Sequence, residues 1–164
     1  SSQATDLSTQ RSAIVAGGGG FLGSHLCTML VEDGYTVYCV DNFGSGQEKN
    51  VAHLTDDPLF QIIETDIRTN PGLPPVEKIY QLASRASPKD FTIFPVQIAL
   101  TNTEATRHLL DHAVKYNARM LYASISEVYG NLEQHPQPES YNGKVNICGP
   151  GGCYDGSKRL GETL

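Results

Sequence analysis

Short apolar runs along the chain alternate with longer segments in which apolar residues recur at helical spacing. Most of the short runs are rich in β-branched residues, which favours buried strands. Five such runs predict strands, over residues 13–16, 36–40, 60–63, 78–83 and 120–124. Because helical segments separate several of these strands, the pattern predicts an α/β fold, a parallel sheet with helices on both faces.

The helical segments and loops complete this pattern. One helix is predicted to begin at Phe21 and to stop at Gly34, since glycine is common just past a helix end. Another is predicted to begin near Thr101 or Thr103. The residues expected on its inward face are Ala105, Leu109, Leu110, Ala113 and Val114. Loops rich in proline and glycine are predicted over residues 70–75 and 135–152.

Composition narrows the class of protein. The 164 residues, 39% of them hydrophobic, predict one domain over residues 12–164. A net charge of −6 makes nucleic acid an unexpected partner. No apolar run reaches the roughly 20 residues of a membrane helix. The polar leader, residues 1–11, is expected to be flexible, and it lacks the features of a secretory signal.

Cysteine spacing bears on metals and on the compartment. The four cysteines lack a CxxC pair and close histidines, so no metal site is expected. At this density they favour reduced thiols and a cytoplasmic protein. A Golgi-type membrane anchor upstream of this chain stays open as an alternative.

The most informative local motif is Gly17-x-x-Gly20-x-x-Gly23, between the first predicted strand and the first predicted helix. Gly17 permits a tight turn, Gly20 lets a pyrophosphate approach the backbone, and Gly23 lets helix and strand pack closely. The helix N-terminus adds unpaired N–H groups and the positive end of its dipole. This context predicts dinucleotide binding.

Carboxylates after the second and third strands refine that prediction. Asp41 ends the second strand, where a carboxylate accepts hydrogen bonds from ribose hydroxyls and repels a 2′-phosphate. The sequence therefore favours NAD over NADP. Asp66 and Ile67 follow the third strand, where a loop is expected to meet the adenine.

A second motif places a phenol and an ammonium on one helical face, at Tyr154 and Lys158. A free tyrosine, with a pKa of about 10, is a poor base at neutral pH. A neighbouring cation favours the phenolate, which makes the tyrosine a better proton acceptor. Following a dinucleotide motif, this pair predicts a catalytic site.

These motifs carry a resemblance that covers nearly the whole chain from Ser12 to Leu164. The sequence resembles the extended short-chain dehydrogenases/reductases of the nucleotide-sugar branch, and among them the UDP-glucuronate decarboxylases, or UDP-xylose synthases. The distinctive stretches are GFLGSHL (20–26), VDNF (40–43), NVAHL (50–54), LAS (82–84), SEVYG (126–130), HPQPESY (135–141) and CYD (153–155).

The resemblance implies a Rossmann-like doubly wound sheet and a redox-neutral decarboxylation of UDP-glucuronate to UDP-xylose through a 4-keto intermediate. Tyr154 would take the proton of the sugar hydroxyl and Lys158 would hold the phenolate, with Glu127 and Ser126 beside the reacting centre. It also implies a homodimer for the full-length proteins. Further NAD contacts are implied at Phe21, Leu22, Asn42, Phe43, Ser45, Gly46, Leu82, Ala83, Ser84, Thr101, Ala123, Tyr154 and Lys158.

The sequence also departs from the family pattern near the predicted site. Ile125 stands where the family has a threonine hydroxyl, whose loss could cost about 10²–10³ in rate. Leu100 replaces a lysine, Gly151 an arginine, Arg85 a proline and Ala16 a threonine. Family members have about twice this length, so the last strands and most uridine-binding residues are expected to be missing.

Two alternatives to the decarboxylase stay open. One is another nucleotide-sugar enzyme, a 4,6-dehydratase or a 4-epimerase, although dehydratases usually have an aspartate where Ser126 stands. The other is a truncated, non-catalytic NAD-binding remnant, which Ile125, Leu100 and the short chain favour.

Overall fold

The computed structural model describes residues 11–131 and 133–164. Residues 1–10, most of the predicted polar leader, lie outside the described residues. Arg11, the last residue of that leader, donates its backbone N–H to the Glu77 carboxylate at 2.8 Å. Its guanidinium lies 5.2 Å from the centre of the Tyr35 ring. These contacts fix Arg11 against the start of the sheet.

The five predicted strands form one parallel sheet in the spatial order β3-β2-β1-β4-β5. The strands are β1 (Ser12–Ala16), β2 (Thr36–Asp41), β3 (Phe60–Glu64), β4 (Lys78–Gln81) and β5 (Arg119–Tyr122). The direction of winding reverses between β1 and β4, so their carboxyl ends flank a crevice of the kind that binds ligands in open α/β sheets. The α/β prediction is confirmed.

Helices cover both faces of the sheet. The described residues form α1 (Phe21–Glu32), α2 (Pro88–Ile93), α3 (Pro95–Asn102), α4 (Glu104–Tyr116) and α5 (Gly152–Thr163). Short 3₁₀ turns occupy Glu48–Asn50, Ala52–Leu54, Ile67–Thr69 and Ser126–Tyr129. No helix within the described ranges is long and apolar enough to cross a bilayer.

Two apolar clusters hold these layers together, one on each face. Every residue of β1 is buried, and successive side chains point to opposite faces. Val15 therefore packs with Cys27 of α1 in one cluster. Ile14 packs with Ile79 and with Leu109 of α4 in the other. A central strand buried on both sides explains why β1 reads as a continuous apolar run.

The structure corrects the bounds of two predicted strands. β4 ends at Gln81 rather than at residue 83, because the Gln81 carboxamide accepts the Ala83 N–H at 3.0 Å. β5 covers residues 119–122 instead of 120–124. The helix predicted to begin near Thr101 or Thr103 is confirmed as α4, which begins at Glu104 with Thr103 as its N-cap, and α3 directly precedes it.

Val114 was expected on the inward face of α4, and this expectation was wrong. Its side chain is 84% exposed, whereas Ala105, Leu109 and Ala113 are buried. Those three recur every four residues along one face, and Val114 lies about 100° further round the helix.

Candidate active site

The glycine-rich turn is shaped by close backbone approaches. Gly17 follows β1 with φ +83°, and a Cβ there would lie 2.8 Å from the backbone nitrogen of Ala83. At Gly23, in the first turn of α1, a Cβ would lie 2.1 Å from the carbonyl oxygen of Gly17. Gly20 is the N-cap residue of α1 and, being a glycine, offers no side chain to this helix end. The turn therefore brings the α1 N-terminus beside the end of β1, as the motif predicts, and also beside the residues that follow β4.

Asp41 joins this turn to the loop after β2. One carboxylate oxygen accepts the Gly19 N–H at 2.9 Å, and the other accepts the Phe43 N–H at 2.8 Å. The Phe43 ring lies so close to the turn that a Cβ on Gly19 would come 2.6 Å from its Cε1 atom. The two loops thus form one continuous wall.

A cavity of about 290 Å³ opens at this crevice. Many of the predicted cofactor-binding residues lie together in its lining: Gly17, Gly20, Asp41, Asn42, Ser45, Gly46, Asp66, Ile67, Leu82, Ala83, Ser84 and Thr101. Asp66 also forms an ion pair with Arg68 and accepts its backbone N–H at 3.0 Å. This contact holds the pKa of the Asp66 carboxyl below its usual range.

Other predicted residues lie outside that lining. Phe21 and Leu22 are exposed at the start of α1, Gly23 is buried behind the turn, and Phe43 packs beside it. The residues that sequence reasoning missed are Val40, Thr65, Arg68, Arg85, Phe94, Gln97 and Ile98. Val40 belongs to the VDNF stretch and Arg85 to the departures from the family pattern, whereas no local motif marks the other five, which follow β3 or lie at or near the start of α3. Leu100, one of the departures, is absent from the lining.

Tyr154 and Lys158 are both buried on α5, with 8% and 3% of their surfaces exposed. The Lys158 ammonium donates to the Ala123 carbonyl at 2.7 Å, and Ala123 directly follows β5. Its Nζ atom lies 4.8 Å from the centre of the Tyr122 ring and 6.0 Å from that of Tyr154. Burial lowers the pKa of Lys158 to about 8.

The electrostatics of Tyr154 differ from the sequence-based expectation. Burial raises the pKa of its phenol, and the negative charges of Glu127 and Asp155 raise it further. Its ring stacks on Phe91, with the two ring centres 4.9 Å apart. In this structure the protein's own groups therefore favour the neutral phenol, although Lys158 is nearby.

Ser126 and Glu127 lie on the 3₁₀ turn that follows β5. The Ser126 hydroxyl donates to the Glu127 carboxylate at 3.0 Å, and both residues are exposed. Ile125, immediately before them, is half-buried and offers no side-chain donor. The negative charge of Glu127 raises the pKa of the Tyr154 phenol, so the two side chains interact electrostatically.

Buried polar contacts, which the sequence analysis missed, set the position of α5. Asn102 of α3 donates to the Ser157 hydroxyl at 2.9 Å, and both residues are buried. A Cβ on Gly161 would lie 2.2 Å from the Tyr122 hydroxyl oxygen, so α5 approaches β5 closely there. These contacts hold the helix that carries Tyr154 and Lys158 against the sheet.

Lys158→Met is expected to alter how stability depends on pH. Because the folded-state pKa of Lys158 is about 8 and its ordinary value is 10.5, the unfolded chain binds the proton more tightly between these values. The resulting cost to stability is fully present below pH 8 and disappears as the pH rises to 10.5.

The quantity to compare is the free energy of unfolding of Lys158→Met minus that of wild type. This difference should be about 3 kcal/mol larger near pH 7 than near pH 10.5, because the cost of the buried charge is present only at the lower pH. Chemical denaturation across this range measures it. Lys115→Met, on the exposed surface of α4, is the matched control. Parallel profiles for wild type and Lys158→Met would contradict the prediction.

Comparison with known proteins shows which family this chain belongs to. Residues 13–164 match the model of the NAD dependent epimerase/dehydratase family. The chain belongs to this family. It is 45% identical over 151 residues to UDP-glucuronic acid decarboxylase 1 of Xenopus tropicalis and 46% identical over 151 residues to UDP-glucuronic acid decarboxylase 2 of Arabidopsis thaliana. Each alignment covers 92% of this chain, but only 36% and 34% of those relatives.

Solved structures of family members share the fold. A UDP-galactose 4-epimerase matches with a TM-score of 0.78 and 30% identity, over 93% of this chain and 49% of the other. The dTDP-glucose 4,6-dehydratase DesIV of Streptomyces venezuelae, solved with NAD and TYD bound, matches with a TM-score of 0.80 and 26% identity, over 93% and 49%. The Rossmann-like fold and the family resemblance are therefore confirmed, and the chain spans about half the length of these solved relatives.

Proposed function

We propose that the cavity at the β1–β4 crevice binds NAD. Three features of the described residues fit that group. Gly20 lies in the cavity lining, and within 4 Å a Cβ there would meet the Gly17 carbonyl oxygen at 3.2 Å, so the missing side chain lets a pyrophosphate approach the backbone. Asp41 lies in the lining as a carboxylate for ribose. The buried Ser84 hydroxyl, also in the lining, has no hydrogen-bond partner among residues 11–131 and 133–164, as expected of a group that a ligand satisfies.

The proposed reaction is the decarboxylation of UDP-glucuronate to UDP-xylose. Bound NAD would supply the chemistry of hydride acceptance and return at C4 of the sugar. A ketone at C4 is β to the C6 carboxylate, so the electrons left by CO2 are delocalised as an enolate. Lys158 stabilises the phenolate form of Tyr154 with its positive charge, and that phenolate accepts the proton of the C4 hydroxyl and becomes the neutral phenol. The negative charge of Glu127 lies near this proton acceptor.

The observation that carries the proposal is the position of the Tyr154–Lys158 pair. Lys158 binds the backbone at the carboxyl end of β5, and β5 pairs with β4, whose own carboxyl end leads into the cavity. Neighbouring parallel strands end at the same edge of a sheet, so the proton acceptor and the cofactor cavity share that edge. The relatives named as decarboxylases favour this chemistry over that of the epimerases and dehydratases. A homodimer stays a prediction.

Incubating the purified chain with NAD and UDP-glucuronate tests the proposal. We expect UDP-xylose and CO2, with no net change in NAD, measured by mass spectrometry and absorbance. A separate calorimetric titration with NAD tests the cofactor site alone. Binding without turnover would support the non-catalytic remnant, and turnover of UDP-glucose or dTDP-glucose instead would support an epimerase or dehydratase. Absence of NAD binding would contradict the whole proposal.

A further inference from the structure

Arg85 connects separate parts of the structure beside the cavity. It lies between β4 and α2, and its side chain is 27% exposed. Its Nη2 atom donates to the Gly44 carbonyl at 2.8 Å, and its Nη1 atom donates to the Asp90 carboxylate at 3.3 Å. The guanidinium carbon lies 4.4 Å from the centre of the Phe94 ring. One side chain thus links the loop after β2, helix α2 and the junction between α2 and α3.

The loop is shaped to receive this arginine. A Cβ on Gly44 would lie 2.7 Å from Nη2 of Arg85, so a larger residue would displace the guanidinium. Asn42, Ser45 and Gly46 of this loop line the cavity, and so do Arg85 and Phe94. The guanidinium therefore joins two portions of one cavity wall.

The chemistry of these contacts suits a fixed connection. A planar guanidinium can donate to a carbonyl and to a carboxylate from a rigid fork of N–H groups while its flat face lies against an aromatic ring, whereas an ammonium is a compact point charge without such a face. Its charge strengthens both hydrogen bonds. Holding the loop in place before a ligand arrives reduces the ordering that binding would otherwise require. Arg85 is also one of the positions at which the sequence departs from the family pattern.

We propose that Arg85 is a positioning residue that holds residues 42–46 in their cofactor-binding conformation and slows release of the dinucleotide. The inference rests on the proposed function, because it takes NAD as the ligand. Loss of this bridge leaves the loop to be ordered by the ligand itself. The weaker binding should appear mainly as faster dissociation, because most substitutions at one binding interface change the dissociation rate more than the association rate.

Arg85→Ala is expected to raise the dissociation rate of NAD about tenfold, measured by stopped-flow displacement, since it removes charge-assisted hydrogen bonds. Without ligand, amide hydrogen exchange of residues 44–47 should become faster in the same variant. Arg107→Ala makes the same change on α4, where Arg107 pairs with Asp111 and lies outside the cavity lining, and should alter neither quantity.

Gly44→Ala removes the contact while keeping the arginine. It should raise the dissociation rate similarly, and the Arg85→Ala/Gly44→Ala double variant should add little, because both substitutions break one bridge. Arg85→Lys should fail to restore wild-type release.

Three results would overturn the inference. Unchanged release and exchange in Arg85→Ala, with normal NAD binding by the wild type, would reject the bridge while sparing the proposed function. Release of NAD from Arg85→Lys at the wild-type rate would show that a positive charge is sufficient and that the guanidinium bridge is not required. A wild-type chain that does not bind NAD would reject both proposals.

Discussion

Gly23→Ala is expected to abolish NAD binding and to lower the free energy of unfolding by roughly 3 kcal/mol. The added methyl group would lie 2.1 Å from the Gly17 carbonyl oxygen and 2.8 Å from the Gly18 Cα atom. Both contacts are with backbone, so no side chain can rotate away and the turn must separate from α1. That movement displaces the N–H groups that would face the pyrophosphate.

Chemical denaturation and calorimetric titration with NAD measure the two effects. Gly156→Ala is the matched control, because it also lies within a helix and a Cβ there meets nothing within 4 Å. In an open helical position alanine should stabilise the fold by about 0.5–1 kcal/mol. Wild-type affinity for NAD in Gly23→Ala would show that the close approach does not govern the site.

Tyr154→Phe is expected to slow turnover of UDP-glucuronate by about 10²–10⁴ while the chain stays folded. Phenylalanine keeps the ring that stacks on Phe91 and removes only the phenolic oxygen, which is proposed to accept the substrate proton in its phenolate form. Rate measurements under saturating NAD and substrate, with a thermal melt for each variant, separate chemistry from stability.

The pH dependence of the wild-type rate provides a further check on Tyr154. Burial and the charge of Glu127 raise the pKa of its phenol, so the rate should increase with pH as the phenolate fraction grows. Tyr116→Phe, at the end of α4, removes a hydroxyl outside the proposed site and should leave the rate unchanged. A Tyr154→Phe variant with the wild-type rate would require another proton acceptor.

Features set by neighbouring residues were predictable from the sequence. The period of apolar residues places five strands correctly to within a few residues, because side chains alternate between the faces of a strand. Gly17 and Gly23 identify the turn, because only glycine tolerates those approaches. The exposure of Val114 was not predictable, because it depends on which neighbouring elements pack against α4.

The tertiary structure decided what surrounds each predicted group. Arg68, Phe94 and Gln97 enter the cavity lining only because β3, α2 and α3 meet at one edge of the sheet. The pKa of Lys158 falls to about 8 because packing excludes water from an ammonium that looks ordinary in the sequence. The sequence by itself therefore determined the strand order along the chain, the glycine turn and the Tyr154–Lys158 pair, since these are local patterns. Folding decided the cavity wall, the Arg85 bridge and the charge environment of the pair, since these depend on contacts between distant residues.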